Sequence, residues 1–333
     1  MTPQALSDYL SVLVQQQLTL SVMIWGAPGI GKSSVVAEVA QIAGLEFIDL
    51  RLSQLAPTDL RGLPVADEDR SRWLPPEFLP SEGRGILFLD EINMAPPAMQ
   101  GVAQQLILDR KVGSYQVPEG WFIWAAGNRK EDRAAVFDMP APLANRFVHL
   151  EIEPDFDSFK TWALANDLHE QILAFLSYRK NLLHKIDKNH PSWPSPRAWS
   201  MASRLHGAGL TIAPAVGKGP ASEFSAFVAL YHKMPDVEAI LVGAKKTPAF
   251  PEEPSLRYAM VIALVMRLKT GEQGLNVLTY LAAKAPAEWV QLFAADAIPL
   301  LRKSGNLPKL AQLVKTEPAL KDFMARFKTM IRG

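Results

Sequence analysis

Residues 26–34 constrain this chain more than any other stretch: Gly26, Ala27, Pro28, Gly29, Ile30, Gly31, Lys32, Ser33 and Ser34. An apolar, β-prone run from Leu18 to Trp25 precedes them, and a helix-compatible segment from Val35 to Ala43 follows. The pattern G-x-x-x-x-G-K-[ST] between a strand and a helix is the one that cradles a phosphate chain. Glycines let the backbone wrap a triphosphate, so that loop amides and the helix N-terminus point at it. On this reading Lys32 reaches the β- and γ-phosphates, the Ser33 hydroxyl ligates Mg²⁺, and all nine residues line the nucleotide. The alternative is a glycine-rich turn with a solvated lysine.

Bulk properties narrow the class. A chain of 333 residues is long for one core and predicts two or three domains. A hydrophobic fraction of 48% and a charged fraction of 21% suit an ordinary globular protein. The net charge of +1 gives no global electrostatic case for nucleic acid or an anionic membrane. The absence of cysteine excludes disulfides, thiolate metal sites and cysteine nucleophiles, and it is compatible with a reducing compartment. Residues 1–17 lack the charge and apolar order of a signal peptide. No apolar run approaches the roughly 20 residues that span a bilayer. The expectation is a soluble, cytoplasmic protein.

Along the chain, residues 1–152 alternate apolar runs with helical segments. Strands are predicted at Leu18–Trp25, Leu45–Leu52, Gly85–Leu89, Trp121–Ala126 and Phe147–Ile152, and helices at Pro3–Gln17, Ser33–Ala43 and Pro97–Leu108. The runs are continuously apolar rather than alternating, which suits a parallel sheet covered by helices on both faces. The fold class is therefore α/β, doubly wound. Two stretches break the rhythm and read as hairpins: Leu60–Pro80, with an acidic turn at Asp67-Glu68-Asp69, and Asp109–Gly120. Beyond residue 153 the β signal fades. Helices at Asp155–Asn166, His169–Leu183 and Pro196–His206 predict a small helical domain over 153–210. A connector at Gly207–Pro220 leads into an all-α region over 211–333, with helices at Ser222–Lys233, Ser255–Lys269, Gly274–Ala285, Trp289–Lys303, Leu307–Leu313 and Ala319–Met330.

Further chemistry lies at the ends of the predicted strands. The run Ile86-Leu87-Phe88-Leu89 ends in Asp90 and Glu91. At the carboxyl end of a parallel strand, acids face the crevice where ligands bind. Asp90 would hold Mg²⁺ and Glu91 would polarise an attacking water, because phosphoryl transfer depends mostly on placement and charge neutralisation. Two acids capping the next helix would be the ordinary reading without the upstream loop. Asn128 ends the strand Trp121–Ala126 and would orient that water; alone it would be a turn residue. Arg129, Lys130, Asp132 and Arg133 form a charged loop, read as solvated. Trp73 and Tyr115 sit on the hairpins, where aromatic residues more often pack on the hairpin base than contact a partner. The six histidines show no metal-ligand spacing.

Together these residues resemble the AAA+ ATPases, and within them the MoxR group. Gly26–Ser33 looks like Walker A, Leu87–Glu91 like Walker B and Asn128 like sensor 1. Met139–Phe147 resembles the segment that bears the arginine finger, and Ser195-Pro196-Arg197-Ala198 resembles sensor 2. The two hairpins resemble the helix-2 insert and the pre-sensor-1 hairpin of the MoxR group. Residues 221–333 carry no resemblance. The likeness implies that Arg146 reaches the γ-phosphate bound by a neighbouring subunit, and that Arg197 senses the γ-phosphate of its own chain from a helical lid. Taken alone, Arg146 would be a surface salt bridge and Arg197 an ordinary helix N-terminal residue.

The implied function is an ATP-hydrolysing ring, typically of six subunits. It would couple turnover to the remodelling or activation of a protein client, with a von Willebrand factor A domain protein as a possible partner. Two alternatives stand beside it: a nucleotide-dependent switch with little turnover, and a nucleic-acid motor of the same superfamily. An intact Glu91 weighs against the first, and near-neutral charge against the second.

Overall fold

A computed structural model of the protein describes residues 1–132, 136–187, 189–317 and 320. The described residues divide into two compact units, Met1–Ser158 and Phe159 onward. The first unit begins with helix α1 (Pro3–Gln15), opened by Pro3 and by the Thr2 hydroxyl, which accepts from the Ala5 amide at 3.1 Å. There follow strand β1 (Val22–Trp25), helix α2 (Lys32–Ala43), strand β2 (Glu46–Arg51) and helix α3 (Pro57–Arg61). Strands β3 (Leu63–Asp67) and β4 (Arg70–Leu74) form the first hairpin. Strand β5 (Gly85–Asp90) and helix α4 (Pro97–Leu108) lead to the second hairpin, β6 (Lys111–Val112) with β7 (Tyr115–Gln116). Strand β8 (Trp121–Gly127), the short helix α5 (Ala141–Ala144) and strand β9 (Val148–Glu151) complete the sheet. Helix α6 (Phe156–Ala165) starts the passage to the second unit.

Five strands form one parallel sheet, in the order β2-β5-β8-β1-β9. Successive strand residues point to opposite faces. Val22, Ile24, Ile86, Phe88, Phe122 and Trp124 therefore pack on one face with Leu6 and Leu10 of α1 and Val36 and Val39 of α2. Met23, Leu87, Leu89, Ile123 and Ala125 pack on the other, with Met99, Ala103 and Leu106 of α4. Burial on both faces is why β1, β5 and β8 read as unbroken apolar runs, while the edge strands β2 and β9 carry exposed polar residues. Most elements fall where the sequence places them. The first strand is shorter than expected, since Leu18 and Leu20 lie exposed before it.

The second unit is all helical. Its elements are α7 (Glu170–Tyr178), α8 (Pro196–Gly207), α9 (Ala213–Val216), α10 (Lys218–Tyr231), α11 (Glu238–Leu241), α12 (Pro254–Met266), α13 (Gly271–Lys284), α14 (Ala287–Lys303) and α15 (Leu307–Thr316). The expected connector at Gly207–Pro220 is in part helical. It holds α9 and the first turn of α10, where Pro220 is tolerated because first-turn amides need no helical acceptor. Helix α13 starts earlier than expected, at Gly271, behind the Thr270–Gln273 capping box. Its glycines serve close packing: a Cβ at Gly271 would lie 2.8 Å from the Leu310 amide nitrogen of α15. Helix α7 packs on both α10 and α12, so helices from either side of residue 210 share one unit. The expected helix at Ala319–Met330 lies outside the described residues.

One histidine pair gives this unit a pH signature. The rings of His169 and His206 meet edge-on at 4.5 Å, and His169 Nδ1 accepts from the Gln171 amide at the start of α7. Burial lowers both pKa values, the His169 charge lowers that of His206 further, and Glu170 pulls that of His169 partly back up. A lowered folded-state pKa means the unfolded chain binds more protons, so stability is complete above the unfolded value of about 6.5 and falls as pH drops through the folded ones. Thermal melts should show the helical unit losing stability between pH 7 and 5, and His169→Asn, which keeps a capping oxygen, should flatten that dependence.

Candidate functional site

Three strand ends meet on the carboxyl side of the sheet. Strand β1 lies between β8 and β9, so its end is the point where strand order reverses and ligands bind. Gly26 follows it in a space that admits no side chain: a Cβ there would lie 2.9 Å from the Ile152 carbonyl oxygen and 2.7 Å from Ile30 Cδ1. Gly29 (φ 79°) and Gly31 (φ 98°) take left-handed conformations that turn the loop into α2. Gly31 is the N-cap of that helix and offers no side-chain cap, leaving the first-turn amides without one.

Lys32, the first residue of α2, folds back across the loop and is only 9% exposed. Its Nζ donates to the Gly26 carbonyl at 2.7 Å, the Ala27 carbonyl at 3.1 Å and Asn128 Oδ1 at 2.9 Å. A phosphate in the loop would compete with these neutral acceptors and, being charged, would win the stronger bonds. Ser33 is partly exposed and Ser34 exposed at the start of α2.

Asp90 ends β5, two strands from β1 with β8 between them. Its Oδ1 accepts from the Glu91 amide at 2.8 Å. Burial raises its pKa; the Glu91 amide and then Lys32 pull it back, while the Glu91 charge pushes it further up. Asp49 of β2 is likewise raised, by burial and then by Asp90. This concentration of carboxylate beside the phosphate loop is suited to a divalent cation. Mg²⁺ takes oxygen ligands and is usually held by one or two protein groups plus phosphate and water, and the Ser33 hydroxyl and Asp90 carboxylate fit that donor set. Among the described residues, no group of three or more His, Asp or Glu forms a metal site on its own.

Glu91 has φ 56°, an uncommon left-handed conformation for a residue with a side chain. Its Oε2 accepts from the Ser53 hydroxyl at 2.5 Å, in the turn after β2. Asn128 follows β8 and is 8% exposed, with Oδ1 toward Lys32 and Nδ2 toward Met94 Sδ at 3.4 Å. The structure thus brings Gly26–Ser33, Asp90, Glu91 and Asn128 to one edge of the sheet.

The arginines behave differently. Arg146 is exposed, two residues before β9, at the amino end of the sheet and away from the phosphate loop. Its amide donates to the Leu143 carbonyl at 3.1 Å, but among the described residues its guanidinium has no hydrogen bond or ion pair, so the salt-bridge alternative finds no partner. Arg197 is exposed in the first turn of α8, whose N-cap is Ser195. It belongs to the second unit. Arg129, expected to be solvated, is instead bound: it pairs with Asp132 at 2.9 Å and Glu151 at 2.8 Å, and these bonds raise its pKa. Arg133 lies outside the described residues. Tyr115 is buried, its hydroxyl donating to the Pro80 carbonyl at 2.7 Å, and Trp73 is half-buried, its carbonyl accepting from Ser114 at 3.0 Å. Tyr115 thus anchors its hairpin through its side chain, and Trp73 through its backbone carbonyl.

Residues that the motif reading passed over are Ser53, Asn93 and Gly127. Ser53 carries no local signal, since only the fold brings it to Glu91. Asn93 stands out as a polar residue in an otherwise apolar turn, Ile92–Met94, and Gly127 as a glycine closing a buried strand.

Residues 21–149 match the family model described as the ATPase family associated with various cellular activities (AAA). Over 167 residues the chain is 25% identical to midasin from Giardia intestinalis; the match covers 46% of this chain but only 4% of the length of midasin. Among solved structures it is similar to a mutant RuvB from Thermotoga maritima, with 15% identity over 96% of this chain and 83% of that one and a TM-score of 0.37. It is also similar to NtrX from Brucella abortus in complex with ADP, with 16% identity over 96% and 68% of the two chains and a TM-score of 0.38.

Replacing Lys32 by Ala removes the ammonium that the loop encloses. Titration calorimetry should show ATP affinity falling by at least about tenfold, the worth of one charged hydrogen bond. Residues 21–149, which carry the phosphate loop and most of the parallel sheet, are thus the part of the chain that is similar to the AAA ATPases.

Proposed function

We propose that the protein is an ATP-hydrolysing AAA+ machine of the MoxR group that acts as a ring. The observation that carries the reading is the convergence of Lys32, Asp90, Glu91 and Asn128 at the carboxyl edge of one sheet, while the Arg146 side chain stands exposed at the other edge with no partner among the described residues. Loop amides and Lys32 would bind the triphosphate. Ser33 and Asp90 would hold Mg²⁺, which when bound would supply positive charge to offset that of the phosphates. Glu91 would take a proton from the attacking water, and Asn128 would hold that water in line.

An arginine at the far edge of its own sheet cannot complete its own site in this conformation, but it can complete a neighbour's. Such an arginine contributes roughly 10³–10⁵ in rate in related chemistry. This favours a closed ring, which we take to be hexameric, over a solitary enzyme. Residues 153–210 would act as the lid, with Arg197 sensing the γ-phosphate, and residues 211–333 would form the accessory region that recruits a partner such as a von Willebrand factor A domain protein.

The assignment to the MoxR group is supported by the two hairpins β3–β4 and β6–β7, which stand where inserts are expected. Leu63 and Leu74 face each other across β3–β4 and are 66% and 40% exposed, an apolar pair suited to a protein client. The client would be remodelled in the cytoplasm. Among the described residues, no helix is long and apolar enough to cross a membrane.

The decisive variant is Glu91→Gln. It should bind ATP within a few-fold of wild type while turnover falls by about 100-fold or more, the usual worth of a positioned base. Equal turnover in the variant would remove Glu91 from the chemistry.

A further inference from the structure

One buried side chain beside the phosphate loop has no part in the reading above. Asn93 sits in the turn after Glu91 and is 3% exposed. Its Nδ2 donates to the Asn128 carbonyl at 2.7 Å, and its Oδ1 accepts from the Asn128 amide at 3.2 Å. One side-chain amide thus does for Asn128 what a neighbouring strand would do, satisfying both its backbone groups. A buried carbonyl or amide without a partner is costly, so an apolar residue of similar size would leave two such groups stranded.

The fit depends on Gly127. A Cβ there would lie 2.5 Å from Asn93 Oδ1 and 2.7 Å from Met23 Cε. Met94, next to Asn93 in the same turn, receives the Asn128 Nδ2 contact at 3.4 Å, which leaves Oδ1 to face Lys32 at 2.9 Å. The turn therefore fixes both the backbone and the side-chain amide of Asn128. Asn93 also reaches the other way: its own carbonyl accepts from the Phe137 amide at 2.7 Å. Phe137 is 46% exposed and begins the segment that runs through Met139 and α5 to Arg146.

We infer that Asn93 is a positioning residue that aims the Asn128 amide at the γ-phosphate end of the loop and ties it to the segment leading to Arg146. The inference rests on the ATPase reading of the site. A neutral amide suits the position because Asp49, Asp90 and Glu91 already crowd the neighbourhood. Aspartate would keep an acceptor for the Asn128 amide, lose the donor to its carbonyl and add a negative charge.

The test compares Asn93→Ala, Asn93→Asp, Asn128→Ala and the double variant Asn93→Ala/Asn128→Ala in the full chain. ATP turnover, ATP and ADP affinities and melting temperature are measured for each. If Asn93 works through Asn128, each single variant loses about tenfold or more in kcat with little change in KM, and the double variant is no worse than Asn128→Ala within about twofold. Independent, multiplicative losses, or wild-type kcat in Asn93→Ala, would overturn the inference, as would a lowered melting temperature with kcat unchanged. Should wild type hydrolyse no ATP, the ATPase reading fails and the affinities decide. A preference for ATP over ADP that falls equally in both single variants and no further in the double variant supports the role of Asn93, and an unchanged preference in Asn93→Ala contradicts it. If Asn93→Ala does not fold, Asn93→Asp carries the same measurements.

Discussion

Lys32 joins two strand ends that are far apart in the chain. Its ammonium bonds the Gly26 and Ala27 carbonyls after β1 and the Asn128 side chain after β8, across 96 residues of sequence. That contact exists only because β1 and β8 are neighbours, paired from Val22 with Trp124 to Trp25 with Gly127. Their pairing is fixed in turn by double-sided burial: Ile24 and Trp124 face α1 and α2, while Met23 and Ala125 face the layer of α4. A one-residue slip would exchange the two faces of a strand, so the two cores hold the register and the register holds the site.

The same physics explains how much of this was legible in the sequence. Continuously apolar runs revealed the inner strands β1, β5 and β8, because little that is polar is tolerated where both faces are covered, whereas the edge strands β2 and β9 mix apolar with exposed polar residues. The phosphate loop was legible because its chemistry is local: Gly29 and Gly31 supply the left-handed turns, and Lys32 follows within one segment. What the sequence concealed is non-local. Ser53 lies 38 residues from Glu91, and Asn93 lies 35 from Asn128, and no spacing rule connects either pair. Arg129 was misread for a similar reason, since its partner Glu151 comes from β9. The early start of α10 was hidden by Gly217 and Pro220, which resemble linker punctuation but act as a helix entry.

The hairpins are braced rather than loose. Ser114 of the second bonds the Trp73 carbonyl of the first, and the Tyr115 hydroxyl bonds Pro80 beyond the first hairpin. Gly62, with φ 86°, lies so close to the Leu74 carbonyl that any side chain there would clash. Two short hairpins of this size are marginal alone, and these contacts give them a common footing on the α/β unit. An exposed Leu63–Leu74 pair held in this way presents apolar surface at a fixed place, as the proposed remodelling of a client would need.

The central claim is that each nucleotide site is finished by a neighbouring copy of the chain, and subunit mixing tests it most directly. Arg146→Ala protein keeps an intact phosphate loop but lacks the arginine, whereas Lys32→Ala protein lacks the loop lysine but keeps the arginine. Each alone should turn over ATP poorly. Mixed under conditions where differently tagged subunits co-purify, they should recover activity, because Lys32→Ala subunits lend Arg146 to the intact sites of their neighbours. Turnover in co-purified mixtures no higher than the sum of the separate proteins would contradict a shared site.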